Sequence, residues 1–435
     1  MENITAKFGG SSLADATQFR KVAAIVRADP FRKYIVVSAP GHRSADDIKV
    51  TDLLYQAYRA NGTEDFPPIM EQIRFRFAEI AAELGLHEDF GLDEVETALT
   101  AGASEDFFAS RGEYLTAKLL ARYLELPFVD TASCIFFHND GSLDVGHTND
   151  ALQNALGGLP GAILPGFYGS SPDGSIRTFT RGGSDITGSL VAKAMRSSCY
   201  ENWTDVSGVL AADPRIIPQA IPIRKLSYRE LRELTYTGTS VLHEAAIFPV
   251  RSAGIPIHIR NTNAPNDPGT LIVRDSGYTN PDPVTGIAGM RDFSIIHIEK
   301  AQMNETPGFI YRVLEPFAAR GINIDHLPTG IDSASVVVRT DQIQDCRSEL
   351  LYDIRMAVDP DTILVENDIA ILTVVGRGMV HRYGVASRAF IALARAGINL
   401  RLIDLGSDAM NIIIGVDNAN YETAFRSLYY AYFTE

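Results

Sequence analysis

The chain has 435 residues, 46% hydrophobic and 21% charged, too long for one core and enough for roughly two to four domains. Basic residues number 39 and acidic ones 54, a net charge of −15, which excludes nucleic acid and an anionic membrane as main partners; an anion site must be built locally from chosen cations and backbone N–H groups. Cys134, Cys199 and Cys346 lie far apart with no CxxC or Cys/His spacing, against a zinc centre or disulfide frame, and with no leader-like start and no apolar run near the roughly 18 residues of a membrane span the cytoplasm is the expected location.

Residues 4–8 read as a strand, followed by Gly9-Gly10-Ser11-Ser12 and an amphipathic helix over 15–27. Paired glycines let the backbone approach a bulky anion and take φ > 0, and the N–H groups of a helix start point at it. Lys7, at the strand end, can reach the same anion. The pattern is a phosphate cradle without the GxxxxGK[ST] of a Walker A loop, and such a turn is often only a turn. Residues 34–38 (YIVVS) form a continuous β-branched run, the mark of a strand buried on both faces, and the helix between predicts a βαβ unit in a parallel sheet.

The loop 41–50 is polar and carries His42, Arg43 and Lys49; Thr51 then caps a helix over 52–60. Residues 67–99 read as a helical insertion or lid. Ser110-Arg111-Gly112-Glu113 opens a helix running to 124, and strands are expected at 128–130 and 163–168. Arg181-Gly182-Gly183-Ser184-Asp185 precedes a helix over 186–195. A strand at 200–204 leads to Asp205 and the turn Asp213-Pro214-Arg215; helices at 228–236 and 242–253 and a strand at 257–260 follow.

Asn, Pro, Asp, Gly and Thr dominate 261–286, which reads as a linker. Beyond it the period shortens to strand–helix–strand–strand–helix–strand units: strands at 294–299, 322–327, 335–339 and 363–366 with helices at 308–319 and 342–357, then strands at 369–375, 398–405 and 410–416 with helices at 385–396 and 421–432. Arg320-Gly321-Ile322-Asn323-Ile324 is echoed by Ala396-Gly397-Ile398-Asn399-Leu400, each placing Gly just past a helix end. The division is a large α/β domain at 1–275, a linker at 276–290, and βαββαβ modules at 291–366 and 367–435.

Two Gly-Gly turns ahead of helices in one α/β domain point jointly to a phosphate site. Arg181 and Asp185 flank the second and suit a zwitterion, the guanidinium forking onto a carboxylate and the Asp taking an ammonium, or else they pair with each other. Glu113 either binds an ammonium or complements a helix dipole. Thr204 and Asp205 stand at a strand's carboxyl end, where doubly wound sheets hold ligands, though Asp205 also suits a plain turn. His138, His147, His243 and His258 have no ligand spacing, and Trp203 reads as core.

Together these segments resemble the aspartate kinase family: Lys7-Phe8-Gly9-Gly10-Ser11-Ser12, Val37-Ser38-Ala39, Arg111-Gly112-Glu113, Arg181-Gly182-Gly183-Ser184-Asp185, and Trp203-Thr204-Asp205-Val206 through Asp213-Pro214-Arg215, in that order, with the C-terminal modules similar to its tandem ACT domains. The likeness covers essentially the whole chain, in the monofunctional form. It implies an amino-acid-kinase-like three-layer sandwich with a mainly parallel sheet, followed by two ferredoxin-like ACT modules. The implied reaction is ATP-dependent phosphorylation of the side-chain carboxylate of L-aspartate to 4-phospho-L-aspartate, opening lysine, threonine and methionine biosynthesis, with Mg2+ chelated mostly by phosphates.

By family position Lys7 and Asp185 are catalytic, Lys7 steadying the transferring phosphoryl group with the Gly9 and Gly10 amides and Ser11. Arg181 takes the α-carboxylate of aspartate, Glu113 and Asp185 face its ammonium, and Ser38, Thr51 and Ser184 line the acceptor pocket. Thr204, Asp205, Leu210, Arg215 and Ser240 touch the nucleotide. The ACT pair implies feedback by an amino acid, lysine first with threonine and methionine as alternatives, on Met303, Thr306, Ile310, Asn323, Ile324 and Asp325, and a homodimer or higher oligomer through those modules. Asp325 anchors an effector ammonium or is a solvated strand-end carboxylate. Two positions depart from the family: Ser240 replaces a Lys that reaches the nucleotide in many relatives, and Thr180 precedes Arg181 where Gly is common. Rival readings are a kinase of the same fold acting on glutamate, N-acetylglutamate or a nucleotide, and an amino-acid sensor with an inactive kinase domain.

Overall fold

The computed structural model describes residues 2–86, 91–101, 103–180, 182–236, 244–275, 282–406 and 410–434. They form two compact units, one of Met1–Val209, Pro222–Arg229 and Ser240–Tyr278, the other of Leu210–Ile221, Glu230–Thr239 and Thr279–Glu435.

In the first unit β1 (Ile4–Phe8) passes through a 3-10 turn (Gly10–Leu13) into α1 (Ala16–Arg27), then β2 (Arg32–Val37). The helices α2 (Val50–Ala60), α3 (Phe66–Glu83), α4 (Leu92–Thr100), α5 (Glu105–Leu124) and α6 (Val145–Leu156) follow, then β3 (Ala162–Pro165), β4 (Tyr168–Ser170), β5 (Ile176–Thr178), α7 (Gly183–Ala194) and β6 (Cys199–Thr204). β7 (Lys225–Ser227), the start of α8 (Tyr228–Tyr236), α9 (Glu244–Ala253), β8 (Ile257–Asn261) and β9 (Thr270–Val273) complete it. Among the described residues the main sheet has seven strands in the order β3-β2-β1-β6-β8-β9-β7, parallel at every step except the antiparallel β8–β9 pair.

β1 sits inside this sheet between β2 and β6, and its side chains alternate between faces. Ala6 and Phe8 enter a core shared with Phe19 and Val22 of α1, Leu54 of α2, Phe77 of α3 and Phe108 and Leu115 of α5. Each large side chain buried there contributes about 1.5–3 kcal/mol. Lys7 points to the other face, toward α7.

Several expectations are corrected. The segment at 67–99 is no lid: Met70, Ile73, Phe77, Ile80, Leu92 and Val95 are buried in the main core. Helix α5 begins at Glu105, capped by the Ser104 side chain, two turns before Glu113. Helix α2 begins at Val50 with Lys49 at its N-cap, so Thr51 lies inside the helix. The run at 163–168 is broken, because Phe167 takes a left-handed φ of 78° and the chain leaves the main sheet for a β4–β5 pair. Residues 128–130 make only a single bridge, Phe128 to Ile163. The interval read as linker holds β9, which pairs with β8.

The second unit comprises β10 (Gly286–Glu299), α10 (Phe309–Ala319), β11 (Ser333–Arg339), α11 (Thr340–Ile343), α12 (Arg347–Val358), β12 (Thr362–Val375), α13 (Val385–Arg395), β13 (Leu402–Leu405), β14 (Asn411–Asp417) and α14 (Tyr421–Phe433). The described strands form one five-stranded antiparallel sheet, β11-β10-β12-β14-β13. β10 and β12 are each 14 residues long and pair from Gly286↔Val375 to Glu299↔Thr362, so both expected modules draw on the same two strands. Strand structure therefore starts at Gly286, inside the stretch read as linker to 290. Each long strand has a left-handed residue near its middle, Asp292 (φ 70°) and Asp368 (φ 58°).

The expected strand at 322–327 reduces to isolated bridges, His326 to Val337 with Thr329 to Ala334 beyond it. Its regular pairing is lost because the Asn323 amide donates to Gln342 Oε1, 2.8 Å away, and Ile322 turns into the core. Gly321 and Gly397, just past the ends of α10 and α13, have φ of 66° and 69° with nothing within 4 Å of where a Cβ would stand. Gly321→Ala and Gly397→Ala should therefore each cost about 1–2 kcal/mol, the left-handed backbone penalty alone, measured as equal falls in urea unfolding free energy. A much larger loss at one site would mean packing that the structure does not contain.

Candidate active site

Three loops of the first unit meet at the carboxyl ends of β1, β2 and β6. Lys7 and Asn202 are register partners on β1 and β6, and both reach Asp185 in the first turn of α7. Lys7 Nζ lies 2.7 Å from Asp185 Oδ1, and Asn202 Nδ2 donates to that same oxygen at 2.9 Å. The Tyr200 hydroxyl donates to the Asp185 carbonyl at 3.1 Å, so β6 fixes both backbone and side chain of the aspartate. Both partners of the ion pair are largely buried, with side chains 10% and 16% exposed. Asn202 was not singled out in the sequence; its signal is an amide inside a strand otherwise buried on both faces.

The glycines serve close approach rather than unusual torsion. Gly9 has φ −73° and ψ 167°, and Gly10 is not among the residues with positive φ. A Cβ on Gly10 would stand 2.9 Å from the Ala39 carbonyl oxygen, and one on Gly41 2.7 Å from the Gly10 carbonyl carbon. The Gly41 amide donates to the Gly10 carbonyl at 2.9 Å, locking the loop after β2 onto the loop after β1. The Gly9 amide is occupied by the Trp203 carbonyl at 3.0 Å, so that N–H cannot serve the cradle the sequence suggested. Ser11 is half-buried in a 3-10 turn that precedes α1, whose N-cap is Asp15.

Gly182 caps α7 in a left-handed conformation (φ 60°), and Gly183 leaves room for Phe167, whose Cδ2 would be 2.6 Å from an added Cβ. Ser184 is buried under Gly166. Arg181 lies outside the described residues, as does Ser240.

Glu113 lies on α5, held close because Gly112 lacks a side chain: its Cβ would be 2.6 Å from that of Ala39. The carboxylate accepts the Ala39 amide, while Oε2 is buried without a partner among the described residues. Burial pushes this carboxyl up to about 8, against the pull of the Ala39 amide and the Lys7 and Arg111 charges. Two turns into α5, Glu113 is too far from the helix start to owe its place to the dipole. Arg111 is also buried, with its guanidinium 4.3, 4.5 and 5.2 Å from the ring centres of Phe107, Tyr114 and Tyr168 and two nitrogens donating to Ser110 Oγ.

Ser38 follows β2 and donates its amide to the Phe8 carbonyl at 3.1 Å. Thr51 is half-buried on α2, next to Val50, which packs near Gly112. Thr204 ends β6 and donates to the exposed Asp205 at 3.1 Å. Leu210 and Arg215 belong to the second unit, where Arg215 is mostly exposed and pairs with Asp213 at 2.6 Å. Lys7, Gly9, Gly10, Ser38, Glu113, Ser184 and Asp185 thus share one locality in the first unit.

In the second unit Met303, in a 3-10 turn (Met303–Glu305) before α10, is buried in a core that Ile310 and Ile324 flank. Thr306 donates to the Gln302 carbonyl at 3.1 Å, and the Asp325 amide donates to the Val337 carbonyl at 2.9 Å. Among the described residues no group of three or more His, Cys, Asp or Glu side chains is placed to hold a metal, and no helix is long and apolar enough to cross a membrane.

A profile of the amino acid kinase family matches residues 4–261 and an ACT domain profile matches residues 372–432. Aspartokinase 3 of Bacillus subtilis (strain 168) is 38% identical over 448 residues, covering 98% of each chain. The crystal structure of the aspartate kinase of Clostridium acetobutylicum, described as an allosteric enzyme, is 43% identical with a TM-score of 0.89, covering 99% of this chain and all of its own. Aspartokinase III of E. coli, in complex with aspartate and ADP, shares the fold at 24% identity and a TM-score of 0.74, covering 99% of this chain and 100% of its own. With such identity along nearly its whole length, and with the Lys7–Asp185 corner in place, the chain belongs to the aspartokinase family.

Proposed function

We infer that the chain transfers the γ-phosphoryl group of ATP to the side-chain carboxylate of L-aspartate and that its ACT modules regulate the reaction. The nucleophile, with a pKa near ~4, is already ionised at pH 7, so no general base is required. The demand is charge neutralisation and in-line placement. The observation that carries the reading is the Lys7–Asp185 pair, which holds an ammonium at the tip of β1, within electrostatic reach of Glu113, whose buried Oε2 has no partner among the described residues. Lys7 steadies the migrating phosphoryl group, and Asp185, itself held by Asn202, positions its ammonium. Glu113 receives the ammonium of aspartate, which draws it into its ionised form. Arg181 takes the α-carboxylate, and Ser38, Thr51 and Ser184 line the acceptor pocket.

Thr204 and Asp205 approach the nucleotide, along with Leu210, Arg215 and Ser240. Magnesium accompanies ATP on its phosphates, a role that fits a site whose described side chains form no cluster of metal ligands. Residues 1–275 are the catalytic domain, and the two modules beyond residue 290 bind an amino-acid effector, lysine first, at Met303, Thr306, Ile310, Asn323, Ile324 and Asp325. The protein assembles as a homodimer or higher oligomer through these modules and works in the cytoplasm, at the first step of lysine, threonine and methionine synthesis.

Coupled ADP release with L-aspartate, L-glutamate or no acceptor tests the reaction. Release should require aspartate, and Lys7→Ala should lose at least ~100-fold in turnover, as other charge-stabilising groups do. Release only with glutamate, or near wild-type turnover in Lys7→Ala, refutes the assignment.

The unfolded chain gives up the Glu113 proton near pH 4.5 and the folded chain near pH 8, so this group lowers stability progressively as pH rises between those values. Glu113→Gln removes the penalty. Its ligand-free unfolding midpoint in urea should exceed wild type at pH 8.5, the difference vanishing toward pH 4.5. Equal midpoints at pH 8.5 would show that this carboxyl titrates normally. For the same reason aspartate binding at pH 7 should release a proton, seen by calorimetry as an enthalpy that changes with the buffer's ionisation heat.

A further inference from the structure

Helix α3 carries Arg76, which is 2% exposed although it is among the costliest residues to bury. Its guanidinium reaches three separate pieces of chain. Nη1 donates to Asp47 Oδ2 at 2.7 Å, and Nη2 donates to the Gly41 carbonyl at 2.5 Å and the Ala14 carbonyl at 3.2 Å. Ala14 closes the turn that follows β1, and Gly41 closes the turn that follows β2 and is itself bonded to Gly10. Asp47 holds the intervening loop, accepting the amide and side chain of Arg43 at 2.8–3.1 Å. One planar cation with donors in a fixed fork therefore ties the cradle turn after β1 and the turn after β2 to a helix anchored by Met70, Ile73, Phe77 and Ile80 in the main core.

We propose that Arg76 is a positioning residue for phosphoryl transfer: from α3 it sets the spacing between the β1 turn, which receives the nucleotide phosphates, and the β2 turn packed against it. This rests on the cradle reading given above. It gives the helical segment at 66–83 a role in the reaction without contact with substrate. A lysine in its place keeps the charge but offers a point contact, and cannot hold two carbonyls and a carboxylate in one plane.

The test compares wild type with Arg76→Lys, Asp47→Asn and Glu79→Gln. Glu79 pairs with the exposed Arg43 at 3.0 Å and, among the described residues, makes no hydrogen bond to Arg76, so it serves as the control. The readouts are ADP affinity with magnesium by calorimetry, kcat and KM for ATP, thermal unfolding, and hydrogen exchange at residues 9–14 and 39–47. Arg76→Lys should weaken ADP by at least ~10-fold and lower kcat by a similar factor, in line with the sensitivity of such reactions to ångström-scale misplacement. Exchange should quicken in both turns but not in the second unit, and Glu79→Gln should match wild type.

A folded Arg76→Lys protein that melts earlier yet keeps its ADP affinity and kcat makes the residue merely structural and overturns the proposal. If Arg76→Lys does not fold, Asp47→Asn decides, since it leaves both carbonyl bonds intact. ADP weakened by ~3-fold or more supports the proposal, and unchanged ADP affinity overturns it. Wild-type protein that binds ADP but transfers nothing to aspartate refutes the acceptor assignment and leaves the comparison of variants valid. Wild-type protein that binds no ADP removes the cradle and the proposal with it.

Discussion

The bond between Lys7 and Asp185 ties together residues far apart along the chain, and the site is arranged about it. A lysine on an interior strand of a parallel sheet is costly unless an anion meets it. The first turn of α7 supplies that anion at 2.7 Å, and Asn202 supplies a second donor so that the aspartate is not held by charge alone. Without Asp185, Lys7 would be a buried cation facing α7; without Lys7, a carboxylate would sit against the face of the sheet. The pair therefore fixes how α7 approaches β1 and β6, and it presents a cation where the strands end.

Around that pair the backbone is packed at distances only glycine permits. Gly10 against Ala39 and Gly41, Gly112 against Ala39, Gly166 against Ser184 and Gly183 against Phe167 each leave the place of a side chain to atoms of another segment. The loops that carry function are thus braced at close quarters by the scaffold. The strained Phe167 is held by its amide bond to Thr187 Oγ1 at 3.2 Å and by the Phe179 amide on its carbonyl at 2.9 Å. Burial then does the electrostatic work at Glu113, whose high pKa follows from the same close approach that places α5 under Ala39.

Much of this was legible in the letters. The β1 run, the buried β2 run and the Gly-Gly corners each carry a local signature, and so do the repeated left-handed glycines after α10 and α13. What was not legible depends on partners remote in sequence. The glycines at 9–10 were read for close approach to an anion and for torsional freedom, whereas Gly10 lies against residues 39–41 of the chain itself. Helix α5 was started late because its first two turns, capped by Ser104, carry acidic residues and paired Phe that match no clean apolar stripe. α6 went unseen, as did the three-residue β7, and β9 lay hidden in an Asn- and Pro-rich stretch because it is a strand through its pairing with β8 and β7. α3 read as a lid because its core-facing residues find their partners only in the folded sheet.

The two long strands of the second unit have a topological corollary. Because β10 and β12 each run through both modules, with a shift of pairing register between Met290 and Ile295, severing the chain near residue 290 or 367 would divide strands that both modules use. Recombination could add or remove this region only as a block. The left-handed Asp292 and Asp368 sit where this β10–β12 ribbon passes from one module to the other.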